Sequence, residues 1–359
     1  MSRRAMTRSP KPRRGPSPIP APRVRRPVLL ALAIAVLMIV VLTAWAVRPK
    51  AMLSARDEAR EALSLGQAAR AERALIRQTR LDPSDPEPWL LRLEMLRVED
   101  RQLEAQTVGW KALAAVRGPS RRRVLRAMTL AILADPPEEI ARATLARWVA
   151  ADPHDLDARV AQLQRIASSP RAGDPDRASR VASLSEILAA HPDHLSAREA
   201  LVLALADAGD PIRGRAVLDA WPSGSRDARY HRLKGRWNLE YEHLYPEAVA
   251  SFLKALADLP HDWRTHARLA RSLHNANRDS DAKRAAEIVE KLREALDPIA
   301  LGKRLDTDLA ALDQPSSRLD LADLCDRVGL TRLAEAWRRD ASETAGPIEG
   351  RMNPIISNI

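Results

Sequence analysis

Cysteine is almost missing from this chain: of 359 residues, only Cys325 carries a thiol. A single cysteine excludes an intrachain disulfide and leaves the redox compartment unread. Its setting in an apolar helical stretch points to a core residue rather than a nucleophile. Phenylalanine and tyrosine are nearly as scarce, at one and three residues, while tryptophan numbers eight. Glycine is held to 13 residues, which fall mainly at expected helix ends. No P-loop, dinucleotide glycine pattern, zinc-protease histidine pair or serine elbow occurs. No run alternates β-branched and polar residues as a half-buried strand would. His191 and His194, in His-Pro-Asp-His, have a spacing that suits a metal. They fill a turn, however, and no nearby cysteine completes a ligand set. His154 and His261 occupy similar turn positions. The expectation is a chain that is not an enzyme and needs neither cofactor nor metal.

Acid is absent from the first 56 residues, which hold 12 Lys/Arg. From Asp57 onward 46 basic residues face 47 acidic ones, so the formal charge of +11 belongs to the amino-terminal segment. A near-neutral body gives no wide footprint for phosphate, which argues against nucleic acid as a partner. Residues 1–27 carry seven prolines and nine basic side chains with almost no apolar content, a composition that predicts disorder. The stretch Pro16 to Pro22 would suit a groove that reads polyproline conformation. The simpler reading is a topology determinant attracted to anionic headgroups.

Val28 to Val47 is a run of 20 residues with only Thr43 polar. As a helix it would be about 30 Å long, the hydrocarbon thickness of a bilayer. Arg25, Arg26 and Pro27 bracket one end, and Arg48, Pro49 and Lys50 the other. Trp45 lies near the far end, where an indole favours the interface. Nine positive charges before the run against three just after it place the amino terminus in the cytoplasm and the large remainder outside. Ala44-Trp45-Ala46 and the Arg25-Arg26 pair offer a cleaved export signal instead, but the apolar run is longer than the 7–15 residues usual there. Either way the remainder is exported.

From Met52 onward the pattern is helical, punctuated at turns. Pro83, Pro153, Pro192, Pro260 and Pro298 lie at one, or nearly twice, a period of about 34–39 residues, the mark of stacked helical hairpins. Small residues recur where paired helices would cross, with large ones beside them. Ala59, Ala62, Ala71, Leu75 and Pro83 form one unit; Trp89, Leu93, Leu96, Ala105 and Ala112 the next. Tyr230, Leu233, Gly235, Trp237, Ala248, Phe252, Ala255 and Pro260 form a later one, followed by Leu269, Ala270, Leu273 and Ala282. Leu321, Ala322, Gly329, Ala334 and Ala341 close the series. This pattern resembles the tetratricopeptide repeat family. The resemblance implies an all-α, right-handed superhelix of about eight antiparallel hairpins across 52–343, each contacting only its neighbours.

The middle of the chain is less regular. Residues 169–176 read as an insertion, Arg180 takes a small-residue place, and the unit near 195–226 has Gly214 and Leu218 in register but lacks its closing proline. Asp135-Pro136, Asp174-Pro175 and Asp210-Pro211 each set a capping acid before a proline suited to the first helical position. Gly66, Gly118, Gly209 and Gly329 mark breaks. Residues 297–313 look like one odd helix before the last hairpin. The expected organisation is thus a basic tail over 1–27, a transmembrane helix over 28–47, the repeat domain over 48–343 and a disordered tail over 344–359.

Trp89, Trp148, Trp221, Trp237 and Trp337 fall at packing positions, and Trp263 follows a turn. Tyr241 and Tyr245 lie in the densest aromatic region and are candidate interface residues. Arg264, Arg268, Arg271 and Asn275 follow helical spacing on the first helix of a unit. In the family this chain resembles, that helix lines a concave groove for peptides, and such a row would grip carboxylates. The bland alternative is a solvated face paired with neighbouring acids. The row does not reproduce the full chaperone-tail clamp of that family. The functional expectation is a membrane-tethered scaffold that binds other proteins outside the cytoplasm, with envelope assembly or secretion as settings suggested by the family alone. The competing reading is a sensory or regulatory subunit whose cytoplasmic Pro/Arg tail binds a partner.

Overall fold

Asp-Pro and Gly punctuation divides this chain into helices about three to four turns long. The computed structural model describes residues 55–167 and 176–343. Residues 55–64 form α1, followed by α2 (Ala68–Leu81), α3 (Pro86–Val98), α4 (Gln102–Ala115), α5 (Pro119–Leu133) and α6 (Glu138–Ala151). Then come α7 (Leu156–Ala167), α8 (Asp176–Ala190), α9 (Leu195–Asp207), α10 (Pro211–Asp219) and α11 (Ala228–Glu240). The chain continues through α12 (Tyr245–Asp258), α13 (Trp263–Asn275), α14 (Asp279–Ala295), α15 (Pro298–Ala310), α16 (Pro315–Arg327) and α17 (Thr331–Ser342). No strand occurs among the described residues. The expected apolar run over 28–47, both tails and most of the 169–176 insertion lie outside the described residues. Among the described residues no helix is long and apolar enough to cross a membrane.

Caps explain many of the starts. Asp210 accepts from the Arg213 N–H with Pro211 at the first helical turn, as expected. Asp85 and Asp297 do the same for α3 and α15. Asp135 does not. The second proline of Pro136-Pro137 pushes its predecessor into extended backbone, so α6 begins only at Glu138, without a side-chain cap. Gln67 gives α2 no side-chain cap either. Its acceptor comes from afar: Asp155, at the α6–α7 turn, takes the Ala69 N–H at 2.9 Å and also caps α7 through Ala158 at 3.1 Å.

Packing follows the logic of stacked antiparallel helical hairpins over much of the described length. α3 with α4, α9 with α10, α11 with α12, α13 with α14 and α16 with α17 are antiparallel hairpins. First helices also pack on one another, α7 on α9, α9 on α11 and α11 on α13. The crossings are close because small residues occupy them. A Cβ added to Gly235 would lie 2.6 Å from the Phe252 ring, and one added to Gly214 would lie 2.6 Å from Trp237. Trp148, Trp221, Trp237 and Trp337 are at most 3% exposed, and Cys325 is fully buried with its thiol pushed up to about 12 by desolvation. α15 is the odd helix expected before the last hairpin.

Two expectations need correction. The third pair is not a hairpin: α5 packs on α3, α4 and α17, while α6 leaves it to pack on α3 and α7. Leu145 and Trp148 of α6 enter the core of α1 and α2. The units therefore do not contact neighbours alone. A single hydrophobic core joins Trp89, Leu125 and Met128 to Leu305, Leu321 and Trp337. At this seam the Trp337 indole donates to Thr129 Oγ1 at 3.0 Å. Asp340 accepts from Arg122 at 2.8 Å and from Arg318 at 3.2 Å, all three side chains at most 5% exposed.

Two stability tests follow from this packing. Gly235→Ala must displace Phe252 and is expected to destabilise by about 1–3 kcal/mol. Gly302→Ala, in α15 with nothing within 4 Å of the new Cβ, should stabilise by about 0.5–1 kcal/mol through helix propensity alone. Equal effects in urea denaturation would contradict the crossing geometry. Asp340→Ala strands the buried Arg318, leaves Arg122 only the longer 3.6 Å contact with Asp313, and should cost about 3–5 kcal/mol. A loss under about 1 kcal/mol in the same titration would mean the seam is not closed by this triad.

Candidate functional site

The inner surface of the array holds two contiguous cavities. The first, of about 390 Å³, lies between the α3–α4 turn and helices α7, α8, α9 and α11. The second, of about 740 Å³, runs along α4 to the α16–α17 turn and Pro260. Arg101, Leu103, Glu104 and Arg229 line both. The second cavity exists because the last hairpin folds back onto α5, bringing Gly329 to Pro260, where its φ of +82° and a 3.0 Å Cβ approach leave room for no side chain. Half-buried leucines such as Leu103 and Leu203 supply apolar floor, and charged side chains the walls.

Helical spacing sets the polar wall. Ser196, Glu199, Leu203 and Asp207 share one face of α9, and Arg229, Arg232 and Arg236 one face of α11. Most of these charges are paired. Arg229 meets Glu104 at 3.2 Å and Asp227 at 2.7 Å; Arg232 meets Glu199 at 2.6 Å and Asp262 at 3.4 Å. Burial opposes the charge on Arg229 and on Arg232, but these carboxylates outweigh it and hold both above the usual guanidinium value.

The tightest node lies where the cavities join. One nitrogen of Arg101 sits 2.9 Å from Glu99, 3.1 Å from Glu72 and 3.3 Å from Asp157. Glu99 is 4% exposed. Desolvation, reinforced by the charges of Asp157 and Glu72, pushes its carboxyl up to about 8 against the pull of Arg101. Asp157 moves the other way. Burial would raise it, but a hydrogen bond from His194 and the charge of Arg101 keep it below the ordinary value. His194 accepts from the Ala197 N–H through Nδ1 at 3.2 Å, capping α9, and presents Nε2 to Asp157 at 3.4 Å. That histidine is therefore committed to a cap and an ion-pair contact, while His191 is exposed beside it.

The sequence-derived residues lie beside this surface. Arg268 and Arg271 reach Glu240 of α11 at 3.4 and 3.5 Å, and Arg236 reaches the same carboxylate at 2.7 Å. Arg264 stacks over Trp263, 4.9 Å from the ring centre, and Asn275 is exposed. Tyr241 is 37% exposed and rests against Trp237 at 5.1 Å. Tyr245 is half-buried and packs on the α12–α13 core. The row is thus joined to α11 rather than standing alone. The three arginines of α11 were missed, although their spacing of three and four repeats the α13 pattern one hairpin earlier. The Arg101 node had no local signal: its members come from α2, the α3–α4 turn and α7.

No protein-family profile and no curated protein sequence matches this chain. Among solved structures, a crystal structure of the APC/C hetero-tetramer Cut9-Hcn1 matches at 12% identity, over 79% of this chain and 54% of that one, with a TM-score of 0.40. The chain spans about half the length of the one it matches. At that similarity the description of the fold rests on the chain's own helix pairing.

The raised Glu99 carboxyl gives a pH test. Between the ordinary carboxyl value of 4.5 and about 8 the folded chain holds this proton and the unfolded chain does not. The group's contribution to stability therefore falls as pH rises through that window. Glu99→Gln keeps the shape and removes the ionisation, and Arg101 retains Glu72 and Asp157. Its stability relative to the natural chain should climb by roughly 4 kcal/mol between pH 5 and pH 8.5, read from paired urea titrations. A pH-independent difference would show that Glu99 is already ionised in the folded chain.

Proposed function

We propose that this chain is a membrane-tethered scaffold that holds a segment of a partner protein along its inner groove. The observation that carries the reading is the pair of contiguous cavities, walled by α4, α9 and α11 and floored by half-buried leucines. Their combined length along α4, α9 and α11 suits an extended or helical segment better than a compact metabolite. Pairing of most wall charges gives a rigid surface that recognises by shape and local charge, and among the described residues it carries no nucleophile–base arrangement that would argue for turnover.

Arg264, Arg268, Arg271 and Asn275 on α13, with Tyr241 and Tyr245 at the α11–α12 turn, form the proposed rim on which the partner segment continues. In this reading the apolar run over 28–47 anchors the chain in the bilayer, with residues 1–27 in the cytoplasm and the repeats outside. Support comes from the length of the run and its flanking charges. Tethering confines the partner near the membrane and raises its effective concentration without new contacts.

A photocrosslinking residue placed at Leu203, on the groove floor, is compared with one at Leu253, which is 55% exposed on α12. Native membranes bearing the full chain should give discrete adducts from position 203 and few from 253. Adducts from 253 alone would move the interface to the outer helices and sink the groove assignment.

A further inference from the structure

We infer that the α11–α13 side of the groove takes an acidic segment of the partner, with Glu240 as the internal competitor for that segment's carboxylates. The inference rests on the groove reading and adds the chemistry of the occupant.

Charge matching decides where an anion fits. Around the groove, Arg101 faces three carboxylates, and Arg229 and Arg232 face two each. At Glu240 the ratio inverts. Arg236, Arg268 and Arg271 converge on this one carboxylate, and none of them has a second acidic partner within 4.0 Å among the described residues. Three guanidiniums against one carboxylate leave two positive charges uncompensated on a wall that the first cavity reaches through Arg236. Burial chiefly, with a smaller part from the charge of Arg236, holds the Arg268 pKa below the usual value despite Glu240 and Asp262.

The geometry leaves donors available. Arg271 is 57% exposed in its side chain and Arg268 30%, and both touch Glu240 only through long contacts of 3.4–3.5 Å. A guanidinium presents five N–H groups in a planar fork, so one such contact leaves most of its donors for a second carboxylate. Arg264, on the same helix, stacks on Trp263 in a separate hollow that Glu290 and Glu294 also line, and does not add to this site. An incoming acidic side chain relieves the Arg236–Arg268 repulsion and completes the pairing that Glu240 alone supplies incompletely.

This arrangement fixes an unusual sign. Removing a charge from Glu240 frees three arginines and tightens an acidic ligand, whereas removing Arg271 loosens it. The probe is a fluorescein-labelled hexaglutamate peptide, with hexaglutamine as its neutral counterpart, titrated by anisotropy against the full chain in non-ionic detergent. Hexaglutamate should bind and hexaglutamine should not. Arg271→Gln, at an exposed side chain, should weaken binding about tenfold, the loss expected of a charge-assisted hydrogen bond. Glu240→Gln should tighten it at least about threefold, a change of less than 1 kcal/mol. Glu139→Gln changes the net charge equally from an exposed site on α6, away from α11 and α13, and should leave affinity unchanged. Because every variant keeps residues 1–27, binding to that basic segment cancels in the comparison.

Unchanged or weaker binding in Glu240→Gln, with helicity and melting temperature preserved, overturns the inference, as does equal binding of hexaglutamine. Neither result touches the crosslinking outcome at Leu203, so a groove that binds a non-acidic partner would survive it. Conversely, hexaglutamate binding that obeys these signs while crosslinks arise only at Leu253 would place an acidic site on a chain whose main interface lies elsewhere.

Discussion

Two consecutive prolines set the architecture. Pro136-Pro137 holds the backbone extended after α5 and delays α6 by several residues, so the chain leaves α5 instead of turning back along it. α6 then buries Leu145 and Trp148 against α1 and α2, and α5 is left with Leu125 and Met128 in need of cover from elsewhere. The last hairpin supplies it. Apolar surface left open on a helix is costly at roughly 25 cal/mol per Å², and α17 removes that cost by bringing Trp337 into the same core. An ordinary solenoid has two free ends. Here the carboxyl-terminal hairpin closes on α5, and the Arg122–Asp340–Arg318 triad lies buried in the seam.

Closure has a price in electrostatics, and the inner surface shows how it is met. Helix faces that would look out on bulk water in an open array instead face one another across the two cavities. Charges in such a place are stable only when paired, since partial burial removes the solvation they would otherwise enjoy. Most arginines there accordingly have carboxylate partners on another helix. Arg229 and Arg232 bind α9 and α11 to α4 and the α12–α13 turn, and Arg101, in the α3–α4 turn, gathers α2 and α7.

Two nodes depart from one-to-one matching, in opposite senses. At Arg101 three carboxylates converge on one guanidinium, and burial, reinforced by Asp157 and Glu72, holds the Glu99 proton up to about 8. At Glu240 three guanidiniums converge on one carboxylate, and burial chiefly lowers Arg268. The first node is internal and resolves its imbalance by taking up a proton. The second borders a cavity and has exposed donors, so an external carboxylate can resolve it. Arginine, charged at all relevant pH, lacks the option of releasing a proton that a carboxyl has of accepting one.

Much was decided by local chemistry. Helix content, the Ala and Gly places at Gly235, Gly214 and Ala248, the left-handed glycines at 66, 118, 209 and 329, the odd helix α15 and the burial of Cys325 and five tryptophans were legible because each depends on a few adjacent residues. Helical spacing also showed the Arg264, Arg268 and Arg271 row, and the same reasoning would have shown Arg229, Arg232 and Arg236. The partners of those arginines were not legible. Asp155 caps a helix 86 residues away, Trp337 reaches Thr129 across 208 residues, and Glu240 collects arginines from two helices. Sequence alone determined which residues stand on which face of each helix, because the 3.6-residue period is a local rule. Only the tertiary structure decided that α6 deserts α5, that α17 replaces it and that the inner charges meet, because those outcomes depend on competition among distant apolar faces for the same cover.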